Sequence, residues 1–236
     1  MSRARSGAKR FWTSAAVVDA GGGHGIELDG RPVRTPARAL LVLPTRAMAE
    51  AVAAEWHAQG DRIDPLSMPL TRSANAAIDK VGPQHGEVAA MLAAYGDTDL
   101  LCYRAETPQA LSARQDAQWN PVLDWAETAL GARLAVHRGV MHRAQDGAVL
   151  GRLSAQVHAL STFQLTGFHD LVSLSGSLIL GFAAARGWRD PEAVWQLSRL
   201  DEIWQQEQWG ADEEADTAAS VRRQAFLHAK RFFDLS

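Results

Sequence analysis

The stretch AVVDAGGGHGIELDGRPVRT, residues 16–35, decides the fold class. Val17 and Val18, then Ile26 and Leu28, read as two strands around a glycine-rich run at 21–25. Their alternation follows the period of two that turns successive side chains to opposite faces of a sheet. Asp29-Gly30 reads as a hairpin turn, because a type I′ turn needs positive φ at both central residues and Asp-Gly tolerates it. Val33 and Thr35 then return on the far strand. Working outward, 40–43 reads as a short buried strand, and Pro44-Thr45 opens a helix whose stripe is Met48, Val52 and Trp56 and which Gly60 closes. Asp64-Pro65 and Met68-Pro69 mark an extended passage before a second short helix through Ala77 and Ile78.

Gly82-Pro83 ends this pattern, since the pair breaks both helix and strand. Beyond it the periodicity is mainly helical. Val88, Met91, Leu92 and Tyr95 form a stripe that stops at Gly96, and a short strand is expected at 100–103. Thr107-Pro108 opens a helix with the stripe Leu111, Gln115, Trp119, Val122, Ala126 and Leu130, kinked at Asn120-Pro121. Leu134 and Val136 have strand spacing, and helices follow near 148–160, 162–173, 175–186, 190–209 and 212–234. The expected class is therefore α+β. A small N-terminal α+β domain with hairpin strands and two helices covers 1–82, and a larger, mainly α-helical C-terminal domain covers 83–236.

Composition narrows the function. In 236 residues, 47% are hydrophobic and 22% charged, which is the balance of a folded globular chain. A net charge of -3 supplies no field for a polyanion, so nucleic acid is not an expected partner. The single cysteine, Cys102, has no disulfide partner within the chain and suits a reducing compartment. The most apolar run, 171–185, is interrupted by three serines and two glycines and is too short to span a bilayer, so no membrane insertion is expected. Arg3, Arg5, Lys9 and Arg10 have no apolar signal core after them, which reads as a short basic tail.

Motifs that carry chemistry are few. The run at 21–25 lacks the Gly-Lys-Ser/Thr ending and the following helix that a phosphate loop requires, and it reads as a hairpin loop. Ser175-Gly176-Ser177 is no nucleophile elbow and reads as close-packing small residues within an apolar helix. His137 and His142 have no third ligand in metal spacing. Neither a metal nor an organic cofactor is expected, nor a small-molecule substrate. Asp212, Glu213 and Glu214 at the start of the last helix, with Arg222, Arg223, Lys230 and Arg231 later in it, follow the helix dipole and read as structural.

The most informative helix is the one expected at 190–209. Asp190 caps it, Pro191 takes its first position and Gly210 ends it. At about 100° per residue, Val194, Leu197, Leu200 and Trp204 fall on one face and read as core. Trp195, Arg199, Glu202, Gln206 and Trp209 fall on the other. Two large aromatics around a carboxylate and an amide suit a specific contact surface. The alternative is a second packing face beneath the final helix, with Glu202 paired to an arginine.

Several segments, taken in order, resemble one family. They are Gly30-Arg31-Pro32-Val33-Arg34-Thr35-Pro36, Ala54-Glu55-Trp56, Met68-Pro69-Leu70-Thr71 with Asn75 and Ile78-Asp79, the run Asp97-Thr98-Asp99-Leu100-Leu101-Cys102-Tyr103-Arg104, and Leu200-Asp201-Glu202-Ile203-Trp204-Gln205 with Trp209-Gly210. The set is similar to the assembly chaperones of ATP synthase that handle the alpha subunit of the catalytic head. It departs from them at Trp204, where the family often has phenylalanine. The resemblance implies a non-enzymatic protein that binds the unassembled alpha subunit and shields the apolar surface that later meets the beta subunit. It points to Glu202 in the Asp-Glu-x-x-Gln stretch as the main contact residue, with Gln205, Gln206 and Trp209 beside it and Trp195 from the same face. Trp56 and Asp99 follow, each with a fold-holding role as its alternative. Location in the bacterial cytoplasm is implied, with the mitochondrial matrix for organellar relatives. A hydrolase using the acidic 201–216 region, and a permanent subunit of a larger complex, are the other functions open to the sequence.

Overall fold

A computed structural model describes residues 8–210 and 212–236. The backbone groups into two compact units. The first runs to Gln84 and takes in Thr162–Thr166 and Phe232–Ser236; the second comprises His85–Ser161 and Gly167–Arg231.

In the first unit, β1 (Ala15–Ala20) pairs antiparallel with β2 (Gly23–Leu28), Val17 lying opposite Ile26. Asp29 and Gly30 have φ of 49° and 77°, the pair of positive values that the type I′ turn demands. The far strand is shorter than expected. β3 is Arg31–Pro32 only, and Val33 still donates to the Ile26 carbonyl at 2.8 Å. Thr35 then leaves the sheet because Asp79 captures it, accepting from its hydroxyl at 2.6 Å and from the Ala37 amide at 3.0 Å. β4 (Val42–Leu43) returns to pair with β2, His24 opposite Leu43. Glycine is needed at position 23, where a Cβ would lie 2.5 Å from the Leu43 carbonyl oxygen.

The helix α1 (Arg46–His57) starts where Thr45 accepts from the Met48 amide at 3.1 Å. It packs on β1 and β2 and buries Met48, Ala49, Val52 and Ala53. Met68 gives α2 (Pro69–Ala76) no side-chain cap. Glu55, on α1, supplies one instead, accepting from the Leu70 amide (2.7 Å), the Thr71 amide (2.8 Å) and the Thr71 hydroxyl (2.7 Å). Orphan amides at a helix start thus find their acceptor across the fold.

The second unit begins with α3 (His85–Ala93). The strand expected at 100–103 is mostly a 3₁₀ turn, Leu100–Cys102, because Asp99 Oδ1 accepts from the Leu101 amide at 3.0 Å and tightens the chain. Only β5 (Tyr103–Arg104) is extended, and it pairs in parallel with β6 (His137–Arg138), just past the Leu134 and Val136 positions expected to form the strand. α4 (Gln109–Leu130) keeps Pro121 in its interior and ends at Gly131, in the left-handed region at φ 64°. α5 (Gly147–His158) follows, then α6 (Thr162–Ser175) and α7 (Leu178–Ala185). Ser175-Gly176-Ser177 is therefore a junction between helices and not the interior of one. Gly176 adopts φ 70°, and Ser177 caps α7 by accepting from the Leu180 amide at 2.9 Å. Among the described residues, no helix is long and apolar enough to cross a membrane.

The single helix expected at 190–209 is two: α8 (Pro191–Ser198) and α9 (Leu200–Trp209). Arg199 leaves helical geometry at φ -106° and ψ 10°. The Leu197 carbonyl, which a continuous helix would offer to residue 201, instead accepts the indole N–H of Trp119 at 2.9 Å. The Ser198 hydroxyl likewise takes the Trp195 carbonyl at 2.7 Å. Two side chains therefore occupy the acceptors that would have carried the helix onward. The last element, α10, is Glu213–Leu235.

Candidate partner-binding surface

The surface is built on α9, and what holds α9 is a buried polar network beneath it. Arg104, on β5, is 1% exposed. Its guanidinium lies 4.9 Å from the Trp119 ring centroid and donates to the Gln115 carbonyl (3.1 Å) and to Asn120 Oδ1 (2.9 Å). Asp116 sits 3.4 Å from its Nε. Burial pulls the Arg104 guanidinium below its ordinary basicity, and Asp116 opposes that pull. Gln115, also buried, accepts from the Ala105 amide at 2.7 Å and donates to Asp201 Oδ1 at 2.7 Å. The first turn of α9 is thereby tied to α4 from below.

Above this base, Arg199 donates to Glu202 at 2.6 Å, with the Glu202 side chain 45% exposed. Glu202 borders a cleft of about 220 Å³ lined also by Leu100, Trp119, Leu174, Arg199 and Arg222. Arg222 donates to the Leu174 carbonyl at 3.1 Å. Further along α9, Gln205 is exposed, and Gln206 is half-buried and donates to Asp216 Oδ1 at 2.6 Å. Arg114 grips Glu207 through both nitrogens, at 2.5 and 3.0 Å, and lies 5.8 Å from the Trp204 ring centroid. That hydrogen-bonded ion pair holds the Glu207 carboxyl below its ordinary pKa and raises Arg114. At the end of α9, Trp209 is 88% exposed. An indole left in water at a helix terminus is the largest apolar liability on this element.

Glu202, Gln205, Gln206 and Trp209 therefore share one short helix, with Glu202 paired to an arginine as the alternative reading required. Trp195 does not join them. The expectation that it faces away from the core fails because α8 is buried on that side as well, by Phe226 of the last helix, as the alternative of a second packing face required. Trp195 is 3% exposed, with its ring 5.5 Å from Phe226. Trp204, expected in the core, is half-buried under Arg114. Trp56 lies in the first unit, half-buried against Trp12 with ring centroids 5.3 Å apart. Asp99 is fully buried, accepting from the Leu101 and Ile179 amides at 3.0 Å each, so it joins the turn before β5 to the start of α7. Burial raises its carboxyl to about 6, against the opposing hydrogen bonds from these amides.

Arg104, Gln115 and Asp201 stand in the stripe and motifs named above, but the sequence reading gave them no part in the site. A signal for Gln115 was present: a glutamine inside the apolar stripe from Leu111 to Leu130 must find buried polar partners. Nothing local marks those partners, because Asp201 is 86 residues away. Among the described residues, no group of three or more His, Cys, Asp or Glu side chains is placed to hold a metal ion.

Comparison with known proteins agrees with this architecture. Atp12 from Paracoccus denitrificans is 51% identical and superposes with a TM-score of 0.95, covering 97% of this chain and 98% of its own. A mutant of P. denitrificans Atp12p is 50% identical, with a TM-score of 0.95 and 97% of each chain covered. A candidate chaperone from Agrobacterium tumefaciens is 41% identical, with a TM-score of 0.91, covering 96% of this chain and 85% of its own. The mitochondrial protein atp12 of Schizosaccharomyces pombe is 28% identical over 223 residues, which span 88% of this chain and 75% of that protein. The model of the ATP12 chaperone protein family matches residues 9–127. The α+β fold, the tied base of α9 and these matches lead to one conclusion: the chain belongs to the ATP12 chaperone family.

Proposed function

We propose that this chaperone serves assembly of the ATP synthase catalytic head by binding the free alpha subunit and shielding the apolar surface that later meets the beta subunit. The observation that carries the reading is the exposed Trp209, presented on the same helix as Glu202, Gln205 and Gln206. Aromatic anchors beside a few polar groups are the make-up of an interface hot spot. Obligate interfaces are apolar like a divided core and aggregate when left open, so a shield that is later released has a physical purpose. Trp195 and Asp99 act from below, as supports of the fold.

Four acidic residues of 201–216 are engaged by neighbouring side chains, which supports a binding role over a hydrolytic one. Asp201 is held by Gln115, Glu202 by Arg199, Glu207 by Arg114 and Asp216 by Gln206. The protein then acts without turnover, in the bacterial cytoplasm where the subunits are made. A shield without an energy source works by mass action, so protection follows occupancy. Light scattering during refolding of the alpha subunit tests this. Suppression should rise with added chaperone and saturate near one-to-one. Complete suppression at a small fraction of equivalence would overturn the shielding mechanism.

A further inference from the structure

The two edges of the N-terminal sheet are treated differently. One consists of β3 and β4, two residues each, with Arg31 and Pro32 among them. Short strands, charge and proline are the devices that keep an edge from pairing with another chain. The other edge is β1, Ala15–Ala20, six residues in unbroken register with β2. It has no proline, no lysine and no bulge, and its one charged residue is Asp19.

Strand geometry shows which groups this edge presents. In an antiparallel sheet a residue directs its N–H and C=O to the same side, and neighbours along the strand alternate. The Ile26 carbonyl accepts from Val33, so Ile26 faces β3, and Gly23, Gly25 and Glu27 face β1. Their partners are Ala20, Val18 and Ala16. Ala15, Val17 and Asp19 therefore point their backbone groups outward, where no other strand among the described residues pairs with them. Beside them the small side chains of Ala16, Val18 and Ala20 leave a shallow strip for larger residues on an incoming strand.

We propose that β1 is a second contact surface, which takes an extended segment of the alpha subunit as an added strand. This inference rests on the function proposed above. Strand addition uses main-chain hydrogen bonds for affinity and alternate side chains for selectivity. A second copy of this chain is the weaker occupant. Six residues give a strip about 20 Å long and about 4.8 Å high, far short of the roughly 800 Å² per partner of a stable dimer. A client already held by another surface needs no more than this strip to fix its register.

Residue-resolved hydrogen exchange on the chaperone, free and saturated with alpha subunit, tests the proposal. In the free protein the Ala15, Val17 and Asp19 amides should exchange fast and those of Ala16, Val18 and Ala20 slowly. In the complex the outward amides should slow by about tenfold or more, as newly closed hydrogen bonds require. Asp19→Pro removes an N–H that serves no ladder bond within the protein. It should leave the melting temperature in place and weaken the complex about fivefold, the value of one backbone hydrogen bond, while Asp19→Ala should bind normally. A complex that forms with unchanged exchange at 15, 17 and 19 overturns the inference and leaves the proposed function standing. Protection that rises with chaperone concentration alone assigns the edge to a second copy and overturns it too. Failure to form any complex removes the proposed function, and the inference with it. The exchange measurement uses the unmodified chain and stands even if Asp19→Pro does not fold.

Discussion

The carboxamide of Gln115 in α4 donates to Asp201 in α9 at 2.7 Å, while its oxygen accepts from the Ala105 amide at 2.7 Å. One buried side chain thus joins three segments, and its own main-chain carbonyl receives Arg104. The first turn of α9, which carries Glu202, is placed by this bond.

Gln115→Ala leaves the Ala105 amide without its acceptor and Asp201 without its donor. Stability should fall by about 2 kcal/mol, the cost of stranding buried polar groups. Urea unfolding measures it. In a double-mutant cycle with Asp201→Ala the two changes should couple by roughly 0.5–3 kcal/mol, as residues in one hydrogen-bonded network do. Strict additivity would show that the bond does not hold the helix.

Glu202→Lys separates contact from support. The Glu202 side chain is 45% exposed, and among the described residues its ion pair is with Arg199, whose side chain is 18% exposed. Unfolding free energy should stay within about 1 kcal/mol of the parent. Binding to the alpha subunit should weaken by about 2 kcal/mol or more. A mutant that melts normally and still captures the alpha subunit removes Glu202 from the contact.

Trp209→Ala tests the aromatic anchor. At 88% exposure the indole contributes little to the fold. The melting temperature should not move, while affinity for the alpha subunit should drop by roughly 2 kcal/mol if the indole fills a pocket on its partner. Calorimetry of both quantities on one preparation decides it, and unchanged affinity would make Trp209 a bystander.

Asp99 should give the protein a pH signature. Its carboxyl is raised from 3.8 to about 6 in the folded state, chiefly by burial. Between these values the folded state binds more protons than the unfolded one, so this residue's contribution falls as pH rises from about 4 to about 6. The full difference is on the order of 2–3 kcal/mol. Asp29 works in the opposite direction at lower pH, since amide and hydroxyl bonds from Thr13 and Ser14 hold it at about 2. Comparison with Asp99→Asn isolates the buried group: the mutant should lose less stability than the parent between pH 4 and pH 6. Parallel curves would refute the assignment.

Local chemistry in the sequence was enough for the Asp29-Gly30 turn, the capped start of α1 at Thr45 and the core stripe of α4. Each depends on neighbours within a few residues, on backbone sterics or on one period of a helix. Membership of the chaperone family was legible in the same way, from short motifs spread along the chain. Tertiary structure decided the rest. Arg199 lies in a stretch with uninterrupted helical periodicity, and nothing near it forbids a helix. The helix stops there because Trp119, 78 residues earlier, takes the Leu197 carbonyl. That bond leaves Glu202 and Trp209 to a separate helix, while Trp195 is buried by Phe226, 31 residues further on. Asp99 and Gln115 are polar residues whose burial is set by distant partners, Ile179 and Asp201. Likewise, Thr162–Thr166 and Phe232–Ser236 join the first unit from far along the chain. A sequence displays propensities at short range; the acceptor that ends a helix, or the donor that stabilises a buried carboxylate, is chosen only when remote segments pack.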